Sequence, residues 1–375
     1  MNTLIQQCDA EVRNLTISPS FAMSLGAKEL FHTNFLAFIL EDRSPSLDKV
    51  RISLKNVLGI VQRDDEETYC LVWRESHHFD LIVVPYKKPQ SSGAHRATVI
   101  EAKLKSTPNL QQLNDYAEQI GLDITLNVPK LKQSQFGPNR VHLVANDVSK
   151  TLLSHEHNLD LSGTGWKPVF WSGLVSALES AVLQLGETSL LELLVKDYWN
   201  SLLSIQSILH NANNYLDKSS GWYDLIKGIE GFKEIRLHDL LSKYITSQLL
   251  VKLKKEIDAE LYESFYTNQS AGISFKQSIR DRQGRELWFG IQIQGRDMRR
   301  FVESPLRNGV ILLDVLPELR PWVLSDGFRG LQGDHEKLGV FGRDRFQYSI
   351  KKIEKFSWQD LVSEVKSTMS KEIRI

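Results

Sequence analysis

The apolar residues of this chain change their period along its length, and the changes mark out its elements. In AKELFHTNFLAFIL, residues 27–40, Leu30, Phe31, Phe35, Phe38 and Ile39 recur at helical spacing. That pattern predicts a buried amphipathic helix, with Glu29 and His32 three apart on one face. After a break around Pro45, three apolar runs follow closely: CLVWRE at 70–75, FDLIVVPY at 79–86 and ATVIEAKL at 97–104. Rich in Val, Ile and Leu and separated by polar turns, they suit adjacent strands of one sheet, with KKPQSSGAH as the hairpin loop between the last two. Pro108 opens a helix, PNLQQLNDYAEQIGL, whose inner stripe is Leu110, Leu113, Ala117 and Ile120. RVHLVAND at 140–147 and KPVFW at 167–171 read as two further strands, the second running into a helix near residues 172–185. A mixed sheet flanked by helices, of α/β class, satisfies this order if the strand after the long helix is placed by a right-handed crossover.

Another strongly apolar helix spans residues 189–209, and the polar, turn-rich HNANNYLDKSSGW after it predicts a boundary. The chain is therefore expected to form one domain over 1–209 and a C-terminal α+β domain over 210–375, the latter holding partner, substrate or oligomer contacts. In the second domain a helix is expected at roughly 237–262. ISFKQSIR and ELWFGIQIQ around the turn DRQG read as a hairpin, and GVILLDVL and FQYSIKKIEKF as further strands.

Composition narrows the class. Length 375 exceeds one ordinary hydrophobic core, while 41% apolar and 25% charged residues match folded globular chains rather than disordered or fibrous ones. Cys8 and Cys70 are the only cysteines, too few for a disulfide framework or a cysteine zinc site. The N-terminus lacks a basic start with an apolar core, and no apolar stretch reaches spanning length, so a cytoplasmic protein without membrane contact is expected. Lys plus Arg and Asp plus Glu both total 46, so no net positive field draws the whole molecule onto a phosphate backbone. An active site needs only a local basic lining.

The candidate chemistry sits on the second and third apolar runs. Side chains alternate along a strand, so Glu101 and Lys103 share a face, and Asp80 heads the neighbouring run. Ionised groups beside TVI and LIVV must be paired, solvated in a cleft or bound to metal. If the strands are neighbours, Asp80 and Glu101 converge with the Ala102 carbonyl on one hard cation, Mg²⁺ or Mn²⁺. Lys103 beside it either orients a water and stabilises transition-state charge, or accepts a proton.

Asp80 with Glu101-Ala102-Lys103 resembles the PD-(D/E)xK nuclease superfamily, although Phe79 stands where that pattern has Pro. The resemblance extends to Gln112 and Tyr116, which match the Q-x-x-x-Y element of RecB-like nucleases. ELFHTNFLAFIL is similar to the opening helix of a bacterial branch that often accompanies phage-defence genes. Covering roughly residues 20–147, the resemblance implies a restriction-endonuclease-like core and a Mg²⁺- or Mn²⁺-dependent nuclease acting on DNA. It makes Asp80, Glu101, Lys103 and Gln112 catalytic and Asp80, Glu101, Ala102 and Glu29 metal ligands, with Glu75 a further carboxylate. Tyr116, Lys105, Lys130 and Lys132 would lie along the nucleic acid.

Blander readings stand beside these. Glu-x-Lys alone is common on solvated strands, and Tyr116 packed with Gln112 solvated is an ordinary helix face. His32 reads as a core histidine, and HEH at 155–157 and GTGWK at 163–167 as loop and turn. RDRQGRELW and GRDMRRF read as a solvated hairpin, with phosphate contact the alternative. The rival functions are a catalytically inactive nuclease-fold scaffold that holds a partner protein or a second copy through its C-terminal domain, and a sequence-specific restriction endonuclease.

Overall fold

Runs of β-branched and aromatic residues pair into two separate sheets, one on each side of a long helix in sequence. The structure, a computed structural model, describes residues 2–27, 29–60, 69–76, 79–86, 97–103, 112–116, 140–145, 166–216, 232, 235–257, 261–266, 271–280, 284–294, 297–304, 316–331, 337–341, 345–353 and 356–370. The chain divides into two compact units: Gln6–Ile208 with Lys233–Leu237, and Met1–Ile5 with Leu209–Phe232 and His238–Ile375.

The first unit begins with helices α1 (Asn2–Ile17), α2 (Pro19–Ala27), α3 (Glu29–Glu41) and α4 (Asp48–Val57). Its sheet contains β1 (Tyr69–Ser76), β2 (Phe79–Tyr86), β3 (Thr98–Lys103), β4 (Arg140–Ala145) and β5 (Lys167–Phe170), in that spatial order. The β1–β2 and β2–β3 pairs are antiparallel, whereas β3–β4 and β4–β5 are parallel. The mixed α/β arrangement read from the sequence is present. Helix α3 packs on β1, β2 and β3, and α4 packs against α5 (Trp171–Leu183).

The α3 stripe is an aromatic seam. Phe35 stacks on Tyr198 with ring centres 4.0 Å apart, and buried His32 meets Tyr198 Oη through Nδ1 at 3.1 Å. Trp171 lies edge-on to the imidazole. His32 is thus a core histidine.

Helix α6 (Leu190–Leu216) corrects one expectation, because the polar HNANNYL continues the helix instead of turning. The division between the units falls within it, at Ile208 and Leu209. Ala212 is fully buried, so one apolar position per turn is enough to carry the helix through the polar stretch.

In the second unit, α7 (His238–Lys254) ends earlier than the apolar pattern suggested, since the following apolar residues form β6 (Leu261–Tyr266). Then come β7 (Ala271–Arg280), β8 (Glu286–Gln294), β9 (Asp297–Glu303), α8 (Leu316–Val323), β10 (Gly339–Phe341), β11 (Phe346–Lys352) and α9 (Trp358–Met369). All six strands pair antiparallel in the order β10-β11-β9-β8-β7-β6. The β7–β8 pair joins the two segments read as a hairpin, with Arg280 opposite Glu286. GVILLDVL, read as a strand, lies outside the described residues apart from Leu316, which opens α8. The loops read at 155–157 and 163–165 and the hairpin loop 87–95 also fall outside them.

Gly290 is required where it stands. A Cβ there would run into the Phe275 carbonyl oxygen on β7. Buried Lys276, paired across the sheet with Gly290, reaches Glu303 on β9 at 2.7 Å.

GRDMRRF is not a solvated hairpin. Its core is the interior strand β9, and Arg300 is 1% exposed. The guanidinium meets the carbonyls of Trp322 (2.7 Å) and Ser325 (3.2 Å), Ser325 Oγ (2.7 Å), Asp326 Oδ2 (3.1 Å) and Thr368 Oγ1 (3.0 Å). The Phe328 ring lies 4.2 Å from it. A fixed fork of donors can satisfy a carbonyl from α8, another from the loop after it and a hydroxyl from α9 at once, which makes its burial tolerable.

Candidate active site

The register of β2 and β3 builds the site. Leu81 pairs with Ile100, so one step further Asp80 stands opposite Glu101, and cross-strand partners share a face. Asp80 is held there by the backbone: the Ala102 N–H donates to its Oδ2 at 2.7 Å. The N–H and C=O of one strand residue point to the same edge, so the Ala102 carbonyl also lies on the Asp80 side.

Glu101 is 2% exposed. Its Oε1 accepts from Lys103 Nζ at 2.5 Å and from Gln112 Nε2 at 3.2 Å. Its Oε2 is buried and has no hydrogen-bond partner among the described residues. One oxygen is thus saturated and the other left open.

Gln112 belongs to the helical segment 112–116. Its Nε2 also lies 2.9 Å from Tyr116 Oη, one helical turn on. Tyr116 sits edge-on to Phe79, with ring centres 5.1 Å apart. The segment is pinned by Trp166, whose buried indole N–H donates to the Leu113 carbonyl at 2.8 Å. Gln112 is therefore turned toward Glu101 rather than left to solvent, a bond between two elements that no helical pattern could reveal.

Electrostatics follow from this burial. Burial, then the neighbouring Asp80 charge, pushes the Glu101 carboxyl up to about 7, against the pull of Lys103. Burial raises Asp80 as well, opposed first by the Ala102 N–H and then by Lys103. Without a further positive charge the pair does not hold two full negative charges at neutral pH.

Glu75 stands across from Asp80 in the register set by Arg74–Leu81 and Ser76–Phe79, and its charge adds to the raising of Asp80. It is exposed and adopts φ +49°, a left-handed conformation disfavoured for a residue with a Cβ. Glu29 is the first residue of α3, and its side chain lies outside the described residues, as do Lys105, Lys130 and Lys132. Among the described residues no group of three or more His, Cys, Asp or Glu side chains gathers as a metal cluster. The converging set is two carboxylates, one ammonium and one amide. Sequence reasoning did not single out Trp166, which fixes the segment carrying Gln112.

Comparison with protein-family models, with curated proteins and with solved structures gives no match for this chain. Among the described residues no helix is long and apolar enough to cross a membrane.

Proposed function

We propose that the chain is a divalent-metal-dependent nuclease of the PD-(D/E)xK kind, with a restriction-endonuclease-like core, that hydrolyses phosphodiester bonds of DNA. One observation carries the reading: half-buried Asp80 and buried Glu101 on facing positions of β2 and β3, with one Glu101 oxygen open and Lys103 against the other. The open Glu101 Oε2, the raised carboxyls and the all-oxygen donor set fit Mg²⁺ or Mn²⁺. Asp80 and Glu101, with the Ala102 carbonyl, would hold the ion. Bound there, it would polarise the scissile phosphate and acidify a coordinated water.

The remaining work belongs to the protein's own side chains. The Ala102 N–H fixes the Asp80 carboxylate, so little reorganisation is needed when charge changes nearby. Lys103 places its ammonium at the site, where it offsets the negative charge that grows on a phosphate under attack. Gln112 holds Glu101 by the oxygen that Lys103 also uses, which keeps Oε2 turned away from both.

The test is incubation of supercoiled plasmid with purified protein and Mn²⁺ or Mg²⁺, beside Lys103→Ala and Glu101→Gln prepared identically. The wild-type protein should nick or degrade DNA, and each variant should lose about 100-fold or more of that activity. Equal cleavage by all three would remove the reading. Discrete fragments in place of a smear would mark a sequence-specific endonuclease.

A further inference from the structure

The six-stranded sheet of the second unit carries its helices on one face. Leu319 and Val323 of α8 pack on Leu287, Phe289 and Val302, and Thr368 of α9 meets Arg300, which shares the Val302 side of β9. Helix α7 lies beside α9, with Lys252 over the Trp358 ring and Glu256, just after the helix, bonded to Lys366. None of these three helices covers the opposite face. There the two-residue alternation places Gln292 of β8, Arg299 and Phe301 of β9, and Phe346 and Tyr348 of β11.

The charges of this face are unevenly matched. Lys276 is neutralised by Glu303 and Lys352 by Asp297. Arg299, between those pairs, has no carboxylate partner among the described residues. Its Nη1 donates to Gln292 Oε1 at 2.8 Å and to Gln294 Oε1, both neutral acceptors, and its Nε is buried with no hydrogen-bond partner. A half-buried guanidinium held by amides alone is an under-neutralised cation, and an anion supplies what is missing.

Beside that cation the rings form a platform. Gly339 on β10 stands opposite Tyr348, and a Cβ there would collide with the phenol ring. The missing side chain lets the ring lie across β10 instead of standing off the sheet. Half-buried Phe346 stacks on buried Phe301 with ring centres 4.7 Å apart, which leaves its other side to meet a ligand. The Phe346 and Tyr348 ring centres are 5.8 Å apart, and the Arg299 guanidinium lies 4.9 Å from the Tyr348 ring.

Among the described residues of the second unit only Val340 is a largely exposed apolar side chain, and its pairing with Gln347 puts it on the helical face. The open face therefore lacks the apolar patch that a second protein copy would bury. Neighbouring rings, glutamine amides and an unmatched cation suit the bases and phosphates of an unpaired strand. We propose that this face binds single-stranded DNA, with successive bases on Phe346 and Tyr348 and a phosphate at Arg299. The choice of DNA rests on the substrate proposed for the Asp80–Glu101 site, whereas the binding itself does not need that site.

The test is fluorescence anisotropy of labelled oligo(dT) with the full chain in EDTA, which prevents metal-dependent cleavage, beside a duplex of the same length, oligo(U) and polyglutamate. Oligo(dT) should bind at least about tenfold more tightly than the duplex or polyglutamate, and no more weakly than oligo(U). Tyr348→Ala and Arg299→Gln should each weaken it roughly tenfold, with thermal unfolding unchanged, and Tyr348→Phe should bind as the wild type does. Glu101→Gln should keep full affinity whether or not the chain cleaves DNA, which separates this proposal from the nuclease reading. Photocrosslinking of 4-thiothymidine oligo(dT) to the wild-type protein should label the tryptic peptide that holds Phe346 and Tyr348, a readout that needs no variant. No binding, equal affinity for the duplex, preference for oligo(U) or polyglutamate, lost affinity in Glu101→Gln, full affinity in Tyr348→Ala and Arg299→Gln, or cross-links confined to other peptides would each overturn the proposal.

Discussion

The backbone N–H of Ala102 donates to Asp80 Oδ2 across 2.7 Å, so one strand positions the acid of the next without help from a side chain. No substitution on β3 other than proline at Ala102 removes that donor. Changes at Glu101, Lys103 and Gln112 are therefore expected to alter charge and ligation at the site while leaving Asp80 in place.

Gln112 and Tyr116 should separate in their effects. Gln112→Ala removes the second donor to Glu101 Oε1 and frees the carboxylate to rotate, and nuclease activity is expected to fall about tenfold with little change in stability. Tyr116→Phe removes one hydroxyl but keeps the edge contact with Phe79, and should cost under about 1 kcal/mol of stability and less than threefold in rate. Paired kinetic and denaturation measurements on the two variants check this.

The metal-free protein should lose stability as pH rises from about 4.5 to about 7. Glu101 titrates near 7 when folded and near its ordinary 4.5 when unfolded, so within that window the folded state binds more protons. Stability then falls with pH, at no more than roughly 1.4 kcal/mol per unit for one proton. Asp80, also raised, acts with the same sign. Melting in a chelator across this range should show the decline. Mn²⁺ should reverse it at the upper end, and Glu101→Gln should flatten it.

Arg300 should be among the costliest positions in the second unit. Arg300→Ala takes the guanidinium away from the Thr368 hydroxyl and from the Trp322 and Ser325 carbonyls, which keep only their local donors from Ser325 and Phe328, empties a buried side-chain volume against Phe328, and should destabilise by about 3 kcal/mol or more. Arg300→Lys keeps the charge but not the planar fork, and should recover only part of that loss. Denaturant unfolding of both variants gives the comparison.

How far the sequence could be read depended on where each residue's partners lie. Strands β1, β2 and β3 were legible because apolar runs alternate with polar turns, and the Glu101–Lys103 face follows from two-residue periodicity alone. Helix α1 was not read, because among its described side chains only Cys8, Val12 and Leu15 of NTLIQQCDAEVRNLTI are buried, a stripe about one residue per turn wide with charged residues between. Arg300 was misjudged for a similar reason. An arginine beside acids reads as surface, and its acceptors in α8, the loop after it and α9 are 22 to 68 residues away. Within the site, Asp80, Glu101 and Lys103 could be named in advance, but the Gln112 bond and the Trp166 anchor depend on a loop's path, which periodicity does not specify.

The most direct measurement is a crystal soaked in Mn²⁺ and recorded at a wavelength where manganese scatters anomalously. The account predicts one strong peak about 2.0–2.3 Å from an Asp80 carboxylate oxygen, Glu101 Oε2 and the Ala102 carbonyl, with Lys103 close by. Density confined to other residues, with Glu101 still held by Lys103 and Gln112 and its second oxygen bare at saturating Mn²⁺, would contradict it.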